Sequence, residues 1–263
     1  MIGSPVSHSL SPVMHRAAYD RLGLDWTYLA IEVAEAGLAG FLDGLDPSWR
    51  GLSLTMPLKR AVLPLLDTVS PTAAQVGAAN TVVLEDGRRC GDNTDVPGMV
   101  AALVEQDVTG VRSAAVLGTG ATAASAVCAL ARLGVREVVL RGRDHTAASA
   151  LARTAAVWGI SAAVTALESN AAPVDLLVST LPGSAFSDAA GPLVEAAAVV
   201  LDVSYDPWPS RLLGLAAAAG VPTVSGLDLL AHQAALQVEA MTGRAVPVDV
   251  LRDAARAALG SPP

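Results

Sequence analysis

The chain predicts an α/β protein of two domains, and three observations carry that expectation. Strand-like and helix-like segments alternate along most of its length, as in helices laid on a sheet. Of its 263 residues 52% are hydrophobic but only 3% aromatic, so Ala, Val and Leu supply the core and suit close helix-on-sheet layers. A glycine-rich turn at Gly118-Thr119-Gly120 follows directly on the apolar run Ala115-Val116-Leu117, the way a strand passes through a tight turn into a helix. The length suits two domains of ordinary size.

Near the start, Gly3-Ser4-Pro5 reads as the turn after a strand, yet only Met1 and Ile2 precede it. Either a missing first strand or a start placed a few codons late is expected there. Ser11-Pro12 predicts an N-cap with proline at the first helical position, opening a helix that runs to Leu22 and stops at Gly23. Strands are predicted over 26–33 and 51–56, the second ended by Pro57, with a helix over 35–43. Segments 59–66 and 71–78 read as helical. Segments 81–84 and 88–90 predict a hairpin about Asp86-Gly87, a pair that favours a type I′ turn.

From Ser113 the rhythm becomes that of a parallel sheet with crossover helices. Buried strands are predicted at 114–117, 137–140, 176–179, 199–203 and 223–224, separated by alanine-rich helices ended by Gly134, Gly159 and Gly220. After Gly226 a long helix runs to about Thr242 and a last one starts at Pro247, with no strand of their own to cover. They are expected to pack back on the first domain. The expected limits are therefore 1–98 with 227–263 for a discontinuous first domain, and 99–226 for a Rossmann-type, doubly wound parallel sheet.

Composition excludes several function classes. The 17 Lys+Arg against 25 Asp+Glu leave a formal charge of −8, which repels a polyanion, so no nucleic-acid partner is expected. Cys90 and Cys128 are far apart and lack metal-ligand spacing; they predict reduced thiols in a cytoplasmic protein. No apolar run approaches a membrane span and no export signal is visible, so no membrane partner is expected. His8, His15, His145 and His232 share no ligand motif, so no metal is expected.

Two stretches read as halves of one acid/base site. Ser53-Leu54-Thr55-Met56-Pro57-Leu58-Lys59 is an apolar strand that breaks at proline and presents a lysine; Gly91-Asp92-Asn93-Thr94-Asp95 is a polar turn before a helix. A lysine held beside a carboxylate can pass a proton to or from a hydroxyl. Burial and a neighbouring carboxylate act on a lysine's acidity in opposite directions, so acid/base and electrostatic roles for Lys59 both stay open. Gly118-x-Gly120-x-x-Ala123 fits the dinucleotide pattern, the glycines admitting a pyrophosphate to a helix N-terminus. A proton site with a hydride carrier is the equipment of an alcohol/ketone oxidoreductase. After the next strand, Arg141-Gly142-Arg143-Asp144 offers two arginines to a 2′-phosphate, favouring NADP, while Asp144 keeps NAD open as the less favoured cofactor. Ser9, Ser11, Thr55, Asn80, Asn93 and Gln233 add neutral hydrogen-bonding groups that suit a small polyhydroxylated ligand.

The joint order of these motifs resembles the shikimate dehydrogenase family nearly end to end. The matching segments are Ser-x-Ser-Pro at 9–12, Thr-x-Pro-x-Lys at 55–59, Ala-Asn-Thr at 79–81, Gly-Asp-Asn-Thr-Asp at 91–95, Asp-x-x-Tyr at 202–205, and Gln233 within Leu230-Ala231-His232-Gln233-Ala234. Tyr205-Asp206-Pro207-Trp208-Pro209 is most similar to actinobacterial-type members. The resemblance implies NADPH-dependent, reversible reduction of 3-dehydroshikimate to shikimate, a step of aromatic amino-acid biosynthesis. It implies Lys59 and Asp95 as the catalytic pair. Ser9, Ser11, Thr55, Asn80, Tyr205 and Gln233 would hold substrate, and Gly118, Thr119, Gly120, Ala121, Arg141, Arg143 and Gly226 the cofactor. The chain departs from the family where Gly-Ala-Gly-Gly-Ala becomes Gly118-Thr119-Gly120-Ala121-Thr122, where Asn-Arg-Thr becomes Gly142-Arg143-Asp144, and where Ser53 stands for the usual Asn. The alternatives are an NAD-dependent quinate/shikimate or aminoshikimate dehydrogenase and a non-catalytic shikimate-binding sensor; a folate-type dehydrogenase lacks the Ser-x-Ser-Pro and Gln233 motifs. A monomer and a homodimer are equally compatible with the composition.

Overall fold

Six parallel strands form the larger sheet, in the order β12-β11-β10-β7-β8-β9: β7 (Ser113–Leu117), β8 (Glu137–Arg141), β9 (Ser161–Thr165), β10 (Val174–Ser179), β11 (Ala197–Asp202) and β12 (Thr223–Ser225). A computed structural model of the chain describes residues 1–167 and 171–260. It divides into two units, residues 1–98 with 230–263 and residues 99–229. In the second unit the chain winds from β7 outward through β8 to β9, then returns to β10 on the other side of β7 and continues to β12. The order therefore reverses between β7 and β10, the place where an open α/β sheet leaves a crevice at its carboxyl ends. Helices α6 (Ala121–Arg132), α7 (His145–Val157), α8 (Gly191–Glu195) and α9 (Arg211–Ala219) make the crossovers. Leu117, Leu177, Val200 and Leu212 are fully or almost fully buried in this core. Strand β9 escapes prediction because Ser161-Ala162-Ala163-Val164-Thr165 has no run of large apolar side chains, and as an edge strand it is only partly buried.

The first unit holds a four-stranded sheet, order β3-β5-β6-β4, and a two-stranded parallel one, β1-β2. Their strands are β1 (Ile2–Gly3), β2 (Ile31–Glu32), β3 (Gly51–Ser53), β4 (Thr68–Val69), β5 (Thr81–Glu85) and β6 (Arg88–Asp92). The β5–β6 hairpin turns on Asp86 and Gly87 with φ of 50° and 73°, the positive pair that a type I′ turn requires. Helices α1 (Ser11–Leu22), α2 (Leu38–Asp43), α3 (Leu58–Ala61), α4 (Pro71–Val76) and α11 (Val248–Ala258) belong to this unit, as do the first residues of α5 (Asp95–Glu105) and most of α10 (Gly226–Thr242). The C-terminal helices pack back on the N-terminal segment, α11 lying against α1.

Two expectations need correction. The first strand is not missing: Ile2 and Gly3 pair in parallel with Ile31 and Glu32, and Ile2 bridges to Leu54. Nor is 26–33 one long strand. Exposure alternates along it, but only its last part meets a ladder partner, while Trp26 and Tyr28 pack against Tyr19.

A polar spine runs through the core of this unit. His15 is fully buried, its ring stacked on Tyr28 at a centroid distance of 4.0 Å. Its Nε2 lies 3.3 Å from Oε1 of Gln237, and Nδ1 is 3.5 Å from the Tyr19 hydroxyl. Since an amide oxygen only accepts, Nε2 carries a hydrogen and donates it to Gln237. Burial lowers the His15 pKa from 6.5 to about 3. Between those values the unfolded chain takes up a proton that the fold refuses, so stability falls as pH drops from 6.5 toward 3. Melting temperature followed by circular dichroism between about pH 4 and pH 7 should therefore decline more gently in His15→Phe than in the wild type. Equal slopes would assign the acid sensitivity to other groups.

Candidate active site

Lys59 is placed by the break at Pro57. After β3, the Thr55 N–H donates to Ile2 O at 3.0 Å and the Thr55 carbonyl accepts from Leu58 N at 2.9 Å, so the chain turns at once into α3 and sets Lys59 on its first turn. Asp95 opens α5, where the helix N-terminus favours a carboxylate. Asn93 steadies that start by accepting from Val96 N at 3.2 Å and donating to Ala78 O at 2.9 Å. The two elements bring Lys59 Nζ to 2.6 Å from Asp95 Oδ2, with side-chain exposures of 14% and 8%. The pair is largely, though not fully, enclosed.

Asp95 is gripped from its other oxygen as well. Asn80, 1% exposed, donates from Nδ2 to Asp95 Oδ1 at 2.8 Å. Backbone chemistry settles the orientation of that amide: Thr94 N–H, which can only donate, meets Asn80 Oδ1 at 2.8 Å. Nδ2 also faces Thr94 Oγ1 at 2.9 Å and Gln233 Oε1 at 3.2 Å. Helices α5 and α10 approach closely enough for this because Gly98 has no side chain; a Cβ there would stand 2.9 Å from Gln233 N.

The predicted catalytic pair Lys59 and Asp95 and the predicted substrate residues Asn80 and Gln233 thus form one hydrogen-bonded cluster. Ser9, Ser11 and Thr55 lie on the segments leading into α1 and α3 of the same unit. The N-cap expected at Ser11 needs correction, since that position falls to Leu10, which has no side-chain cap. Ser11 is the first helical residue rather than the N-cap, and Ser9 Oγ accepts from Ser11 N at 3.2 Å, because the helix begins one residue earlier than an N-cap at Ser11 would set it. Three contributors escaped prediction as site residues: Thr94, Thr81 and Gln237. The first two lay inside motifs already singled out, and Gln237 stands four residues after Gln233, one helical turn away on the same face.

In the second unit the glycine turn follows β7. Gly118 has φ of 114°, and a Cβ there would come within 2.3 Å of Thr180 Oγ1, which donates to Leu117 O at 2.8 Å. Nothing stands within 4 Å of a Cβ at Gly120, and α6 begins at Ala121 with no side chain capping it. The positive end of the helix dipole lies there, which favours an anion. A cavity of about 450 Å³ beside the turn is lined by Gly118, Thr119, Gly142, Arg143, Asp144 and two leucines. Arg143 is exposed there. Arg141, 4% exposed, is turned into the core, and burial lowers its pKa. Asp144 caps α7, its Oδ1 accepting from Ala147 N at 2.9 Å. Tyr205 lies half-buried in the loop after β11. That loop is tied down by Asp202, which accepts from Ser210 Oγ at 2.6 Å and Ser204 N at 3.3 Å. Burial pushes the Asp202 carboxyl up, and the Ser210 hydrogen bond pulls it back. Gly226, at the head of α10, passes so near the chain that a Cβ would meet Val203 O at 2.4 Å. Among the described residues no cluster of His, Cys, Asp and Glu is arranged to hold a metal, and no helix is long and apolar enough to cross a membrane.

Comparisons with known proteins point to one family. Residues 1–82 match the family described as the shikimate dehydrogenase substrate binding domain, and residues 226–256 match the shikimate 5'-dehydrogenase C-terminal domain. A shikimate dehydrogenase (NADP(+)) from Synechocystis sp. is 37% identical, covering 97% of this chain and 93% of the relative. The crystal structure of the Mycobacterium tuberculosis shikimate dehydrogenase is 39% identical with a TM-score of 0.89, covering 97% of both chains. A shikimate 5-dehydrogenase from Thermus thermophilus, in complex with NADP(H) and shikimate, is 35% identical with a TM-score of 0.83, covering 98% of each. With identity of this order sustained over almost the whole length, the chain belongs to the shikimate dehydrogenase family.

Proposed function

We propose that the chain catalyses the reversible, NADPH-dependent reduction of 3-dehydroshikimate to shikimate. The observation that carries this reading is the Lys59–Asp95 pair at 2.6 Å, pinned by Asn80, in the unit whose N-terminal segment matches the substrate-binding domain of the family. Residues 1–98 and 227–263 serve as the substrate domain and 99–226 as the cofactor domain. Lys59 delivers a proton to the oxygen of the ketone as it becomes an alcohol, and takes one back in the reverse direction. Asp95, its two oxygens divided between Lys59 and Asn80, fixes where the ammonium points. The same ammonium stabilises negative charge forming on that oxygen. Ser9, Ser11, Thr55, Asn80, Gln233 and Tyr205 supply the neutral donors and acceptors that a carboxylated, polyhydroxylated ring requires. Two free cysteines, Cys90 and Cys128, suit a reducing cytoplasm.

The glycine turn fits a dinucleotide. Gly118, Thr119, Gly120 and Ala121 offer a bare helix start to a pyrophosphate, and Gly226 keeps the opposite backbone close. Arg143, exposed in the cavity, suits a 2′-phosphate, whereas Arg141 is buried at the end of β8. Asp144 is engaged at the start of α7, which favours NADP over NAD. When bound, NADP supplies the hydride carrier.

The decisive assay follows nicotinamide absorbance during shikimate oxidation with NADP and with NAD; strong preference for NADP is expected, and no turnover with either would remove the reading. Lys59→Ala should slow turnover by about 10²- to 10⁴-fold with the circular dichroism spectrum unchanged, and near-normal turnover would strip Lys59 of its role. Arg143→Ser should raise the KM for NADP by about tenfold or more and leave that for NAD nearly constant. An equal change for both cofactors would place the 2′-phosphate elsewhere.

A further inference from the structure

We propose that Gln237 is a positioning residue for the reaction, fixing the Asp95 carboxylate through Thr81 and Asn80. The inference rests on the reading of Lys59 and Asp95 given above and deepens it. Gln237 does not touch Asp95; it lies deeper, 1% exposed, one turn along α10 from Gln233. A buried amide is costly unless its donors and acceptor are paired, and here they are. Oε1 accepts from Ser53 Oγ at 2.8 Å and faces His15 Nε2 at 3.3 Å, while Nε2 donates to Asn80 O at 3.2 Å and to Thr81 Oγ1 at 3.0 Å. A backbone carbonyl can only accept, so the Asn80 carbonyl forces the NH₂ of Gln237 to that side.

With that orientation fixed, the hydrogen bonds all run one way. Tyr28 OH donates to Ser53 Oγ at 2.6 Å, and Ser53 donates to Gln237. Gln237 donates to Thr81, and Thr81 Oγ1 donates to Asn80 Oδ1 at 2.9 Å. Asn80 finally donates to Asp95 Oδ1 at 2.8 Å. Aligned bonds of this kind polarise one another. The link from Gln237 to the Asn80 amide is the hydroxyl of Thr81, a second donor on Asn80 Oδ1 beside the Thr94 N–H that already sets which way the amide faces. Because Gln237 occupies its acceptor side, its hydrogen is left to Asn80 Oδ1, which keeps the Asn80 amide plane turned so that Nδ2 meets the carboxylate. Without Gln237 that hydroxyl is free to rotate, and Nδ2 has Thr94 and Gln233 to choose instead of Asp95. The Ser53 of this chain is what the Gln237 oxygen meets, so the departure from the family's asparagine at that position is part of the same device.

The test compares Gln237→Leu and Thr81→Val with the wild type, in full-length protein. Each should lower kcat for shikimate oxidation by about ten- to a hundredfold while the KM for shikimate stays within about threefold. The double variant should be no slower than the slower single one, because both cut one chain. Unchanged kcat, a loss carried by KM, or multiplying losses would overturn the proposal. Should Gln237→Leu fail to fold, Thr81→Val alone must show the split. The Asn80 side-chain NH₂ signals in nitrogen-15 NMR give a readout free of catalysis: they should move in Thr81→Val, and unmoved signals would overturn the proposal whatever the kinetics. A wild type inactive on shikimate would defeat the functional reading instead, leaving the NMR outcome to decide the positioning claim.

Discussion

The amide of Asn80 is the constraint on which the arrangement of the first unit turns. It sits just before β5 and receives donors from the Thr94 backbone N–H and from the Thr81 hydroxyl, so its own NH₂ has nowhere to point but toward Thr94, Gln233 and Asp95. Four separate stretches of chain converge there: the start of α5, the end of β3, β5 and the long helix α10. Its backbone carbonyl also accepts from Leu54 N at 2.7 Å, coupling the strand that leads to Lys59 to the same residue. A site that depends on one carboxylate being aimed is therefore aimed by groups that are themselves fixed by backbone hydrogen bonds, the stiffest reference a protein offers.

Much of this was legible in the sequence, and the reasons are specific. Lys59, Asp95, Asn80 and Gln233 lie in motifs whose local chemistry is unusual: a proline ending a strand, a run of polar residues before a helix, a glutamine in an apolar stretch of helix. The Asp86-Gly87 pair announced its hairpin because only a few residue pairs take two positive φ values in succession. The parallel sheet was legible where its strands are apolar and buried on both faces.

What stayed hidden was whatever depends on partners distant in sequence. Nothing local distinguishes Gln237 from a solvated helix residue; its importance arises because Ser53, Thr81 and Asn80 arrive from elsewhere. The extent of a strand is likewise set by its neighbour, so 26–33 looked like a long strand but pairs only over Ile31–Glu32. Arg141 and Arg143 could not be told apart by residue type, since strand alternation and the turn decide which one reaches the surface.

Asp144 has a broader consequence. An aspartate just beyond the second strand of such a sheet would ordinarily be available to a ribose diol, but here it is committed to starting a helix. Under the cofactor site proposed above, selectivity between two dinucleotides and the integrity of α7 share one side chain. A lineage, or an engineer, seeking to convert this enzyme to the unphosphorylated dinucleotide cannot simply lean on the acid already present. Freeing it would unfasten the helix that follows, and Gly142 has no room for a side chain, since a Cβ there would stand 2.7 Å from Thr119 Cγ2; the new carboxylate must come from Arg143, a position with no capping duty, and the older residue is held in place by architecture rather than by the ligand.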